Sequence, residues 1–539
     1  MGSPLSRSPL ASRTPGICWA VWALIFLTFT WVAWSDLPTL IARILSDDMF
    51  YYLSVARHFA LEGVASFDGV TSSNGFHPLW MLILAGVIWF TPHSLDLPVH
   101  LALTAIAFCF IAQGVFLQRI LAHYGHGMLG ALVSIWWLLN PVVIQDVAAG
   151  METAIYGACF LGVLLAYLPH RHTLTVTQAV GVGTMLGLTA LARLDAAILV
   201  LAVCLDAAWV GLRRRAWAVP LGVILPVLVL LVPWVIWSVR AVGTPLPTSG
   251  RALDLWAFEV HEAILKGRWG QAIPGLARNF LEWTDQHLRL LTGMPDLPRA
   301  PIPLLTGLLG LSLGLAAWVV ATVFMDPRYA ALRVFLLVAA VHNGYYLLRV
   351  PHSRYLLPSL LVEIVTVSVV IGDSVTRLQG SWTDPLRRRG AVIMAGGLLV
   401  WSGLLIWQWN RGTLGPQTSP LHVTMYTKGV PWLQEHTAPG AIIGSFNSGI
   451  FGYFSGRRVV NLDGVINEDA YRALAAHRLA DYIDEAGLDW VTDWGGQLEW
   501  FLAHFSDRSR VSLQFIPVAT FDQTWQREQA RLVVYRVAR

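Results

Sequence analysis

Long apolar runs alternate with short polar loops over most of the chain. Runs of this length with few charges are typical of helices that span a membrane. The pattern predicts a polytopic α-helical membrane protein with roughly eleven spans. The runs lie at about residues 18–34, 97–117, 128–144, 153–168, 176–191, 196–212, 218–239, 303–324, 334–348, 356–371 and 391–409.

A further apolar segment, residues 78–90, is shorter and opens with Pro78. Counting it as a span would move the later basic loops to the other side of the membrane. We therefore interpret it as a juxtamembrane or re-entrant helix. The alternative is a twelfth span, which would place the C-terminal region in the cytoplasm.

Basic residues fall in alternate loops between the runs. Because cytoplasmic loops carry an excess of Lys and Arg, the pattern predicts a cytoplasmic N-terminus and an extracytoplasmic C-terminal region. No cleavage site follows the first run, which we interpret as a retained signal anchor. The loops assigned to the cytoplasm contain Arg119, His170-Arg171-His172, Arg213-Arg214-Arg215, Arg328, Arg333, Arg377 and Arg387-Arg388-Arg389.

Composition agrees with this class of protein. Of 539 residues, 55% are hydrophobic and only 13% are charged, which excludes a single soluble globule. The net charge of +4 is small, and its surplus lies in short loops and at the termini. It indicates orientation in a bilayer and argues against nucleic-acid binding.

After about residue 410 the pattern changes to alternating helices and strands. It predicts a small extracytoplasmic α/β domain, half-Rossmann-like, over residues 410–539. Residues 1–409 form the membrane module, with a first outer loop at 37–96 and a long outer loop at 241–300. A glycine-containing turn at 444–449 lacks the dinucleotide spacing and is weak evidence for a nucleotide site. Strands are predicted at 441–445, 459–462, 488–491, 511–519 and 531–537, and helices at 432–435 and 469–485.

Asp47 and Asp48 follow closely behind the first apolar run. Residues 49–60 have helical periodicity, which predicts an amphipathic helix in the membrane interface. Two adjacent carboxylates beside lipid are costly to ionise, so a functional site is the default hypothesis. The alternative is that Ser46 or Asp47 caps the following helix, and the two roles are compatible.

Several short motifs occur in a fixed order along the chain. They are Asp47-Asp48 with Tyr51-Tyr52, Ala56-Arg57, residues 74–80 (NGFHPLW), residues 150–153 (GMET), residues 192–195 (ARLD), Pro245-Leu246-Pro247, Arg354-Tyr355 and residues 452–467 (GYFSGRRVVNLDGVIN). In this order they resemble the GT-C superfamily of membrane glycosyltransferases, and more closely its uncharacterised, family-39-like bacterial members. The resemblance implies an enzyme of the bacterial inner (plasma) membrane. It would transfer a hexose or pentose from a polyprenyl-phosphate-linked donor to an extracytoplasmic acceptor, which is a glycan, a lipid or a protein.

The resemblance also implies roles for the acidic pair. A sugar on a lipid phosphate carries its own leaving group, so inverting transfer needs one carboxylate base and no general acid. The first residue of the pair, Asp47, is the expected base, and Asp48 would orient the acceptor or bind a metal. If Asp48 is instead the base, the mechanism is unchanged.

The leaving phosphate requires fixed cations near the outer membrane face. Arginine suits this role because it stays charged and binds phosphate bidentately. The alternative for these arginines is snorkelling at the interface, and for Arg193 an internal ion pair with Asp195. The predicted donor-phosphate residues are Arg193, Arg349, His352, Arg354 and Tyr355.

The remaining candidates lie in other outer loops. Glu152, His77 and Asp195 are predicted on the acceptor or substrate side, and Asp48 with Glu152 is a candidate site for Mg²⁺ or Mn²⁺. No cofactor other than the lipid-linked donor is required by the resemblance. The competing function is a transporter or lipid-linked-sugar flippase, which internal repeats would favour. We find no such repeat in the sequence.

Overall fold

The computed structural model describes residues 16–256, 260–294, 302–349, 351–379, 420–507, 513–525 and 528–539. Its N-terminal part is a bundle of helices. They are α1 (Gly16–Ala33), α2 (Leu37–Arg43), α3 (Asp47–Glu62), α4 (Pro78–Phe90), α5 (Asp96–His123), α6 (Gly127–Leu139), α7 (Pro141–Ala148), α8 (Thr153–Tyr167), α9 (Val176–Ala192), α10 (Ala197–Arg214), α11 (Ala218–Val242), α12 (Thr248–Trp256), α13 (Val260–Leu265), α14 (Trp269–Thr292), α15 (Ile302–Met325), α16 (Ala330–Leu347) and α17 (Ser353–Gln379).

The described residues include several helices suited to a membrane. Five are long and apolar enough to cross one, and the number rises to seven if two bent helix pairs each count as one span. The protein is therefore a multi-pass membrane protein. The predicted span at 391–409 and the predicted domain boundary at 409/410 lie outside the described residues. The five helices are Asp96–His123, Leu194–Arg214, Ala218–Val242, Pro327–Leu347 and Ser353–Arg377.

The short apolar helix α4 lies between two contacts with the elements around the acidic pair. Its 13 residues give a length of about 20 Å, whereas the hydrocarbon core is about 30 Å thick. Just before α4, the His77 N–H donates to the Tyr52 hydroxyl at 3.3 Å. Just after it, the Leu95 carbonyl accepts from Tyr453 of the C-terminal domain at 2.9 Å. The interpretation of residues 78–90 as a juxtamembrane or re-entrant helix stays a prediction.

Two of the loops predicted to be cytoplasmic contact neighbouring helices. Arg171, after α8, donates to Asp206 of α10 at 2.6 Å. His126, after α5, lies 2.9 Å from Asp373 of α17, whose other oxygen accepts from Tyr329 at 2.9 Å. The orientation of the bundle in the membrane stays a prediction.

Small residues allow close helix packing within the bundle. A methyl group added at Gly183 of α9 would lie 2.2 Å from the carbonyl oxygen of Val223 in α11. No side chain fits in that space, so the two backbones touch directly. Such contacts are a common basis of helix association in membranes.

The C-terminal α/β domain is present, and its strands lie where the sequence predicts them. The predicted helix at 469–485 is two helices, because the chain breaks at His477, which has a φ of 55°. The sheet has the order β2-β1-β3-β5-β4. Strands β1, β2 and β3 are parallel, whereas β5 is antiparallel to β3 and to β4. The elements are α18 (Pro420–Thr424), a π-helical turn (Met425–Gly429), α19 (Val430–His436), β1 (Ile442–Ser445), α20 (Gly449–Phe454), β2 (Arg458–Asn461), α21 (Glu468–Ala475), α22 (Leu479–Glu485), β3 (Trp490–Trp494), α23 (Gln497–Phe505), β4 (Gln514–Trp525) and β5 (Glu528–Ala538).

Candidate active site

Helix α3 begins at the acidic pair and is capped by the residue before it. The Ser46 hydroxyl accepts from the Asp48 N–H at 3.2 Å, which is a standard N-cap interaction. Gly63, in the left-handed conformation at φ 77°, ends the helix. Ser46 is therefore the cap of α3, and the Asp47 carboxylate has other partners.

Asp47 joins α3 to the C-terminal domain. Its carboxylate accepts from the backbone N–H groups of Gly449 at 3.0 Å and Ile450 at 2.8 Å, the first residues of α20. Only 5% of Asp47 is exposed, and burial raises its pKa although nearby His422 and the two N–H groups oppose the rise. A methyl group at Gly449 would lie 2.2 Å from the Asp47 carbonyl. The carboxylate of Asp47 is thus directed into the domain contact.

Asp48, one residue later, is the more exposed carboxylate of the pair. Its side chain is 36% exposed and accepts from Nη1 of Arg354 at 3.1 Å. The same guanidinium contacts the Met151 sulfur at 2.9 Å and donates to the Tyr355 hydroxyl at 3.2 Å. Its Nε has no hydrogen-bond partner in the part of the chain that the structure describes. We call this the Asp48–Arg354 pair.

A buried ion network lies next to the pair. Arg193 donates to Glu152 at 3.0 Å and to Asp195 at 3.0 Å, and Tyr52 donates to the other Glu152 oxygen at 2.8 Å. Tyr346 donates to Asp195 at 2.6 Å. Glu152 is 1% exposed and Arg193 is 4% exposed, so neither side chain faces open space. Such a network fixes its members rigidly, because each charge has a partner.

Electrostatics keep Glu152 charged in this network. Burial alone would raise the pKa of Glu152, but the nearby His77, Arg193 and Arg354 together hold it below its ordinary value. A carboxylate whose pKa is lowered by ion pairs cannot accept a proton near neutral pH unless it loses those ion pairs. Glu152 is therefore a structural anion that orients Arg193.

The structure separates the predicted phosphate-binding residues. Arg193 has the internal ion pair with Asp195 that was its alternative interpretation. Arg349 pairs with Asp254 of α12 and with Tyr345, whereas Arg354 pairs with Asp48. Among the described contacts of these three arginines, only Arg354 contacts the acidic pair. Its side chain is 23% exposed.

The other two predicted phosphate-side residues flank Arg354. The centroid of the Tyr355 ring lies 4.9 Å from the guanidinium of Arg193 and 5.1 Å from that of Arg354. His352 is exposed, and partial desolvation by its neighbours, with the charges of Arg354 and Arg193, lowers its pKa. His352 is therefore neutral near pH 7 and supplies a hydrogen-bonding group without a positive charge.

His77 lies at the exposed edge of the network. Its Nε2 is 3.7 Å from Glu152, and its Nδ1 has no hydrogen-bond partner among the described residues. Burial lowers the pKa of His77, and the charge of Glu152 opposes this shift. Among the predicted substrate-side residues, His77 is better placed than Glu152 and Asp195, which lie within the buried network.

The predicted metal site does not form. Within the described ranges, no three His, Cys, Asp or Glu side chains are grouped so that they could hold a metal ion. Asp48 pairs with Arg354, and the Glu152 oxygens are occupied by Arg193 and Tyr52. Carboxylate oxygens are ligands that Mg²⁺ and Mn²⁺ prefer, but those of Asp48 and Glu152 have cationic or hydroxyl partners in this structure.

Asp463 is a residue that the sequence reasoning missed. It follows β2 and is half-buried, and burial raises its pKa to about 7, with a further contribution from the charges of Asp48 and Asp493. Its Oδ1 accepts from the Val465 N–H at 2.9 Å. A signal existed in the sequence, since an Asp-Gly pair directly after a predicted strand marks the carboxyl edge of a sheet, where ligands bind in α/β folds.

Asn74, in the predicted NGFHPLW motif, ties the outer loops to the domain. Its amide nitrogen donates to the Leu246 carbonyl at 3.1 Å, and its oxygen accepts from the Thr248 backbone N–H at 3.0 Å. The Thr248 hydroxyl donates to Glu468 of α21 at 2.9 Å. Asn74 is fully buried, so the first outer loop, the long outer loop and the α/β domain share one buried polar contact.

Comparison with known proteins gives one partial family match. Residues 421–535 match a family described as "Domain of unknown function (DUF8728)". No curated protein matches the chain.

Solved structures match nearly the whole chain. Apo ArnT from Cupriavidus metallidurans aligns at 13% identity with a TM-score of 0.54, covering 96% of this chain and 98% of ArnT. The Archaeoglobus fulgidus oligosaccharyltransferase tethered to an acceptor peptide aligns at 11% identity with a TM-score of 0.53, covering 96% of this chain and 74% of that enzyme. ArnT bound to undecaprenyl phosphate gives a TM-score of 0.49 at 13% identity, covering 95% of this chain and 98% of ArnT. Identities this low show the fold, and the chain has the fold of the GT-C membrane glycosyltransferases, as its sequence resemblance implied.

Proposed function

We propose that the protein is an integral-membrane inverting glycosyltransferase that moves one sugar from a polyprenyl-phosphate-linked donor to an extracytoplasmic acceptor. The observation that carries the proposal is the Asp48–Arg354 pair. It joins a proton acceptor and a phosphate-binding cation at the partly exposed edge of the site. The GT-C fold of the chain supports the same reaction class.

The reaction needs one displacement at the anomeric carbon. The acceptor oxygen attacks C1 as its proton passes to the Asp48 carboxylate. The bond between C1 and the phosphate oxygen breaks, and its electron pair leaves with the lipid phosphate. One displacement inverts the configuration at C1, and the good leaving group removes the need for a general acid.

We assign the base to Asp48, and this revises the sequence-based preference for Asp47. Both Asp47 oxygens accept backbone hydrogen bonds from Gly449 and Ile450. An acceptor hydroxyl that reached Asp47 would have to displace one of these contacts. The Asp48 carboxylate is partly exposed, and its side-chain partner among the described residues is Arg354.

Arg354 meets the charge that develops on the leaving phosphate. Its guanidinium is fixed between Asp48, Tyr355 and the Met151 sulfur, so it is oriented before the reaction begins. The partly exposed part of the Arg354 side chain is where a phosphate oxygen would bind. The guanidinium of Arg193 lies 4.9 Å from the centroid of the Tyr355 ring, where it adds positive potential without direct contact with the phosphate.

The proposal includes the predicted placement in the membrane. The chain has about eleven spans with the N-terminus in the cytoplasm. The site and residues 410–539 face the extracytoplasmic side of a bacterial inner membrane. The acceptor is a glycan, a lipid or a protein on that side.

Mass spectrometry of cells with and without the protein tests this function. Cells that lack the protein should accumulate one polyprenyl-phosphate sugar and lose the matching sugar from an envelope glycan, lipid or protein. Cells that express Asp48→Asn should show the same two changes, because Asn keeps the shape of the side chain but takes up no proton. Base removal of this kind lowers rates by about 10² to 10⁴.

Glu62→Gln is the matched control. Glu62 lies at the exposed far end of α3 and contacts His58, so its neutralisation should leave lipids and glycans as in wild type. Unchanged polyprenyl lipids and envelope glycans in cells that lack the protein would contradict the proposed function.

A further inference from the structure

The α/β domain contacts the beginning of α3 through a short segment of its main chain. This docking segment, residues 446–450, follows β1 and includes the first two residues of α20. Its backbone makes four hydrogen bonds to two side chains of α3, Asp47 and Tyr51. The Tyr51 hydroxyl donates to the Phe446 carbonyl at 3.1 Å and accepts from the Ser448 N–H at 3.1 Å. The contact therefore depends on the backbone shape of the docking segment.

Asp493, in β3, sets that shape. The residue is 1% exposed, and its carboxylate accepts from the backbone N–H groups of Phe446 at 2.6 Å and Asn447 at 3.0 Å. It also accepts from the Asn447 side-chain amide at 2.9 Å and from the Ser445 hydroxyl at 3.1 Å. Hydrogen bonds from successive backbone N–H groups to one ionised carboxylate are strong and fix the backbone that donates them. Asp493 therefore holds the start of the docking segment in place.

The docking segment and α3 are in direct backbone contact. A methyl group at Gly449 would lie 2.2 Å from the Asp47 carbonyl oxygen, so there is no space between the two main chains. That carbonyl belongs to the peptide bond that joins Asp47 to Asp48. The Asp48 carboxylate in turn lies 3.1 Å from Arg354. A shift of the docking segment must therefore move the backbone that carries Asp48 or break the contact.

We propose that Asp493 is a positioning residue for Asp48 and that it acts through the docking segment. This inference rests on the proposed function, in which Asp48 is the base. A base must be held at the correct distance from the acceptor hydroxyl, and a misplacement of about 1 Å can cost about 10²-fold in rate. Asp493 belongs to the α/β domain and Asp48 to the membrane bundle. The domain thus supports a reacting group that it does not itself carry.

Asp493 controls more of this contact than Asp47 does. Asp47→Asn keeps one of the two bonds made by Asp47 and both bonds made by Tyr51, so the beginning of α3 stays in place. Asp493→Asn loosens the backbone that makes all four bonds. It should therefore lower sugar transfer by about 10-fold to 10²-fold, whereas Asp47→Asn should retain most of the activity.

Amide hydrogen exchange of the purified full-length protein in detergent tests the link. Each Asp493 oxygen accepts from a backbone N–H, that of Phe446 or that of Trp494, so the NH₂ group of Asn faces a donor in either orientation. Exchange in the docking segment and at residues 50–52 of α3 should accelerate by about tenfold or more in Asp493→Asn. Affinity for undecaprenyl phosphate should stay within about twofold, because Arg354 lies in α17 of the bundle.

Asp489→Asn is the matched control in the same domain. Asp489 lies directly before β3 and accepts from the Ile442 N–H at 2.9 Å, at the other end of β1. Its neutralisation should accelerate exchange at Ile442 and leave residues 50–52 as in wild type. If Asp493 only stabilises the fold of its domain, exchange in Asp493→Asn should rise over the whole sheet and remain unchanged at residues 50–52. That result would overturn the proposal.

Tyr51→Phe tests the contact from the side of the bundle and decides the question if Asp493→Asn does not fold. Phenylalanine keeps the ring but lacks the hydroxyl that binds Phe446 and Ser448. Exchange at Ser448 and at residues 50–52 should accelerate by about fivefold or more. Unchanged exchange at residues 50–52 in this variant would contradict the proposal.

Mass spectrometry of cells separates this inference from the proposed function. Cells that express Asp493→Asn should accumulate the same polyprenyl-phosphate sugar as cells that lack the protein, and cells that express Asp489→Asn should not. Accelerated exchange at residues 50–52 together with wild-type lipids would overturn the positioning role. If cells that lack the protein accumulate no such sugar, the proposed function fails, and the exchange at residues 50–52 still decides whether Asp493 fixes the beginning of α3.

Discussion

The Asp48 carboxylate lies 3.1 Å from Nη1 of Arg354, although 306 residues separate the two in the sequence. Each is weak evidence for a site alone, because an acidic residue beside a span can cap a helix and an arginine there can snorkel. Their contact brings together the two groups that the proposed sugar transfer requires.

Arg354→Lys should weaken donor use and leave the fold intact. Lysine keeps the positive charge but lacks the planar fork that contacts Asp48 and Tyr355 while it binds phosphate. Affinity for undecaprenyl phosphate should fall by about tenfold or more, as measured by binding to the purified protein. Arg349→Lys is the control, since Arg349 pairs with Asp254, and it should bind undecaprenyl phosphate as wild type does. Unchanged affinity in Arg354→Ala would remove Arg354 from the donor site.

The sequence predicted much of the fold and only part of the site. Apolar runs, and the alternation of apolar and polar residues, have a period. The apolar helices, the α/β domain and its strands could therefore be predicted. The partners of Asp47 and Asp48 could not be predicted, because the side chains of successive residues in a helix point about 100° apart. One carboxylate therefore meets α20 and the other meets Arg354. Neither contact is local in sequence.

The two arginines at positions 349 and 354 show the same limit of prediction from the sequence. Arg349 and Arg354 are close in the sequence, but Arg349 follows α16 and Arg354 lies in the first turn of α17. The intervening turn sends them to different acids, Asp254 and Asp48. Spacing alone could not distinguish them, since both lie at the end of an apolar run. Asp463 was missed because its importance depends on a domain contact that no periodicity encodes.

A cysteine label at Gly412 should react with a membrane-impermeant reagent from outside the cytoplasm. The predicted orientation, in which basic loops alternate and residues 78–90 do not cross, places this position on the extracytoplasmic side. Labelling of intact spheroplasts measures it. Arg214→Cys, at the last residue of α10 and in the predicted cytoplasmic loop, is the control and should react only after lysis. The opposite pattern would make residues 78–90 a true span.

The pH dependence of stability should change in Asp463→Asn. Burial raises the pKa of Asp463 to about 7 in the folded protein, whereas an unperturbed Asp has a pKa of about 3.9. Between these values the folded state keeps a proton that the unfolded state has released, so the contribution of Asp463 to stability falls as the pH rises. Asparagine removes this dependence. The unfolding midpoint of the variant, relative to wild type, should therefore be higher at pH 8 than at pH 5.

Other titrating groups are the same in both proteins. Their effects therefore cancel in the difference between the unfolding midpoints of variant and wild type. Asp469→Asn is the control and should show the same difference at both pH values. A midpoint difference for Asp463→Asn that is equal at pH 5 and pH 8 would show that its pKa is not raised in the folded state.

Asp47→Asn should loosen the contact between α3 and the α/β domain and retain most of the activity. The two Asp47 oxygens accept from Gly449 and Ile450, but Asn offers one oxygen and turns an NH₂ group toward the second N–H. Loss of that bond costs about 1 to 3 kcal/mol, so amide hydrogen exchange at residues 449 and 450 should accelerate. Asp48→Asn should leave this exchange unchanged, because Asp48 faces Arg354, and should lower sugar transfer by about 10² to 10⁴. A reversal, in which Asp47→Asn abolishes transfer and Asp48→Asn remains active, would return the base to Asp47. The two variants remove one charge each from adjacent residues of one helix turn, so net charge and local helix propensity cannot account for a difference between them.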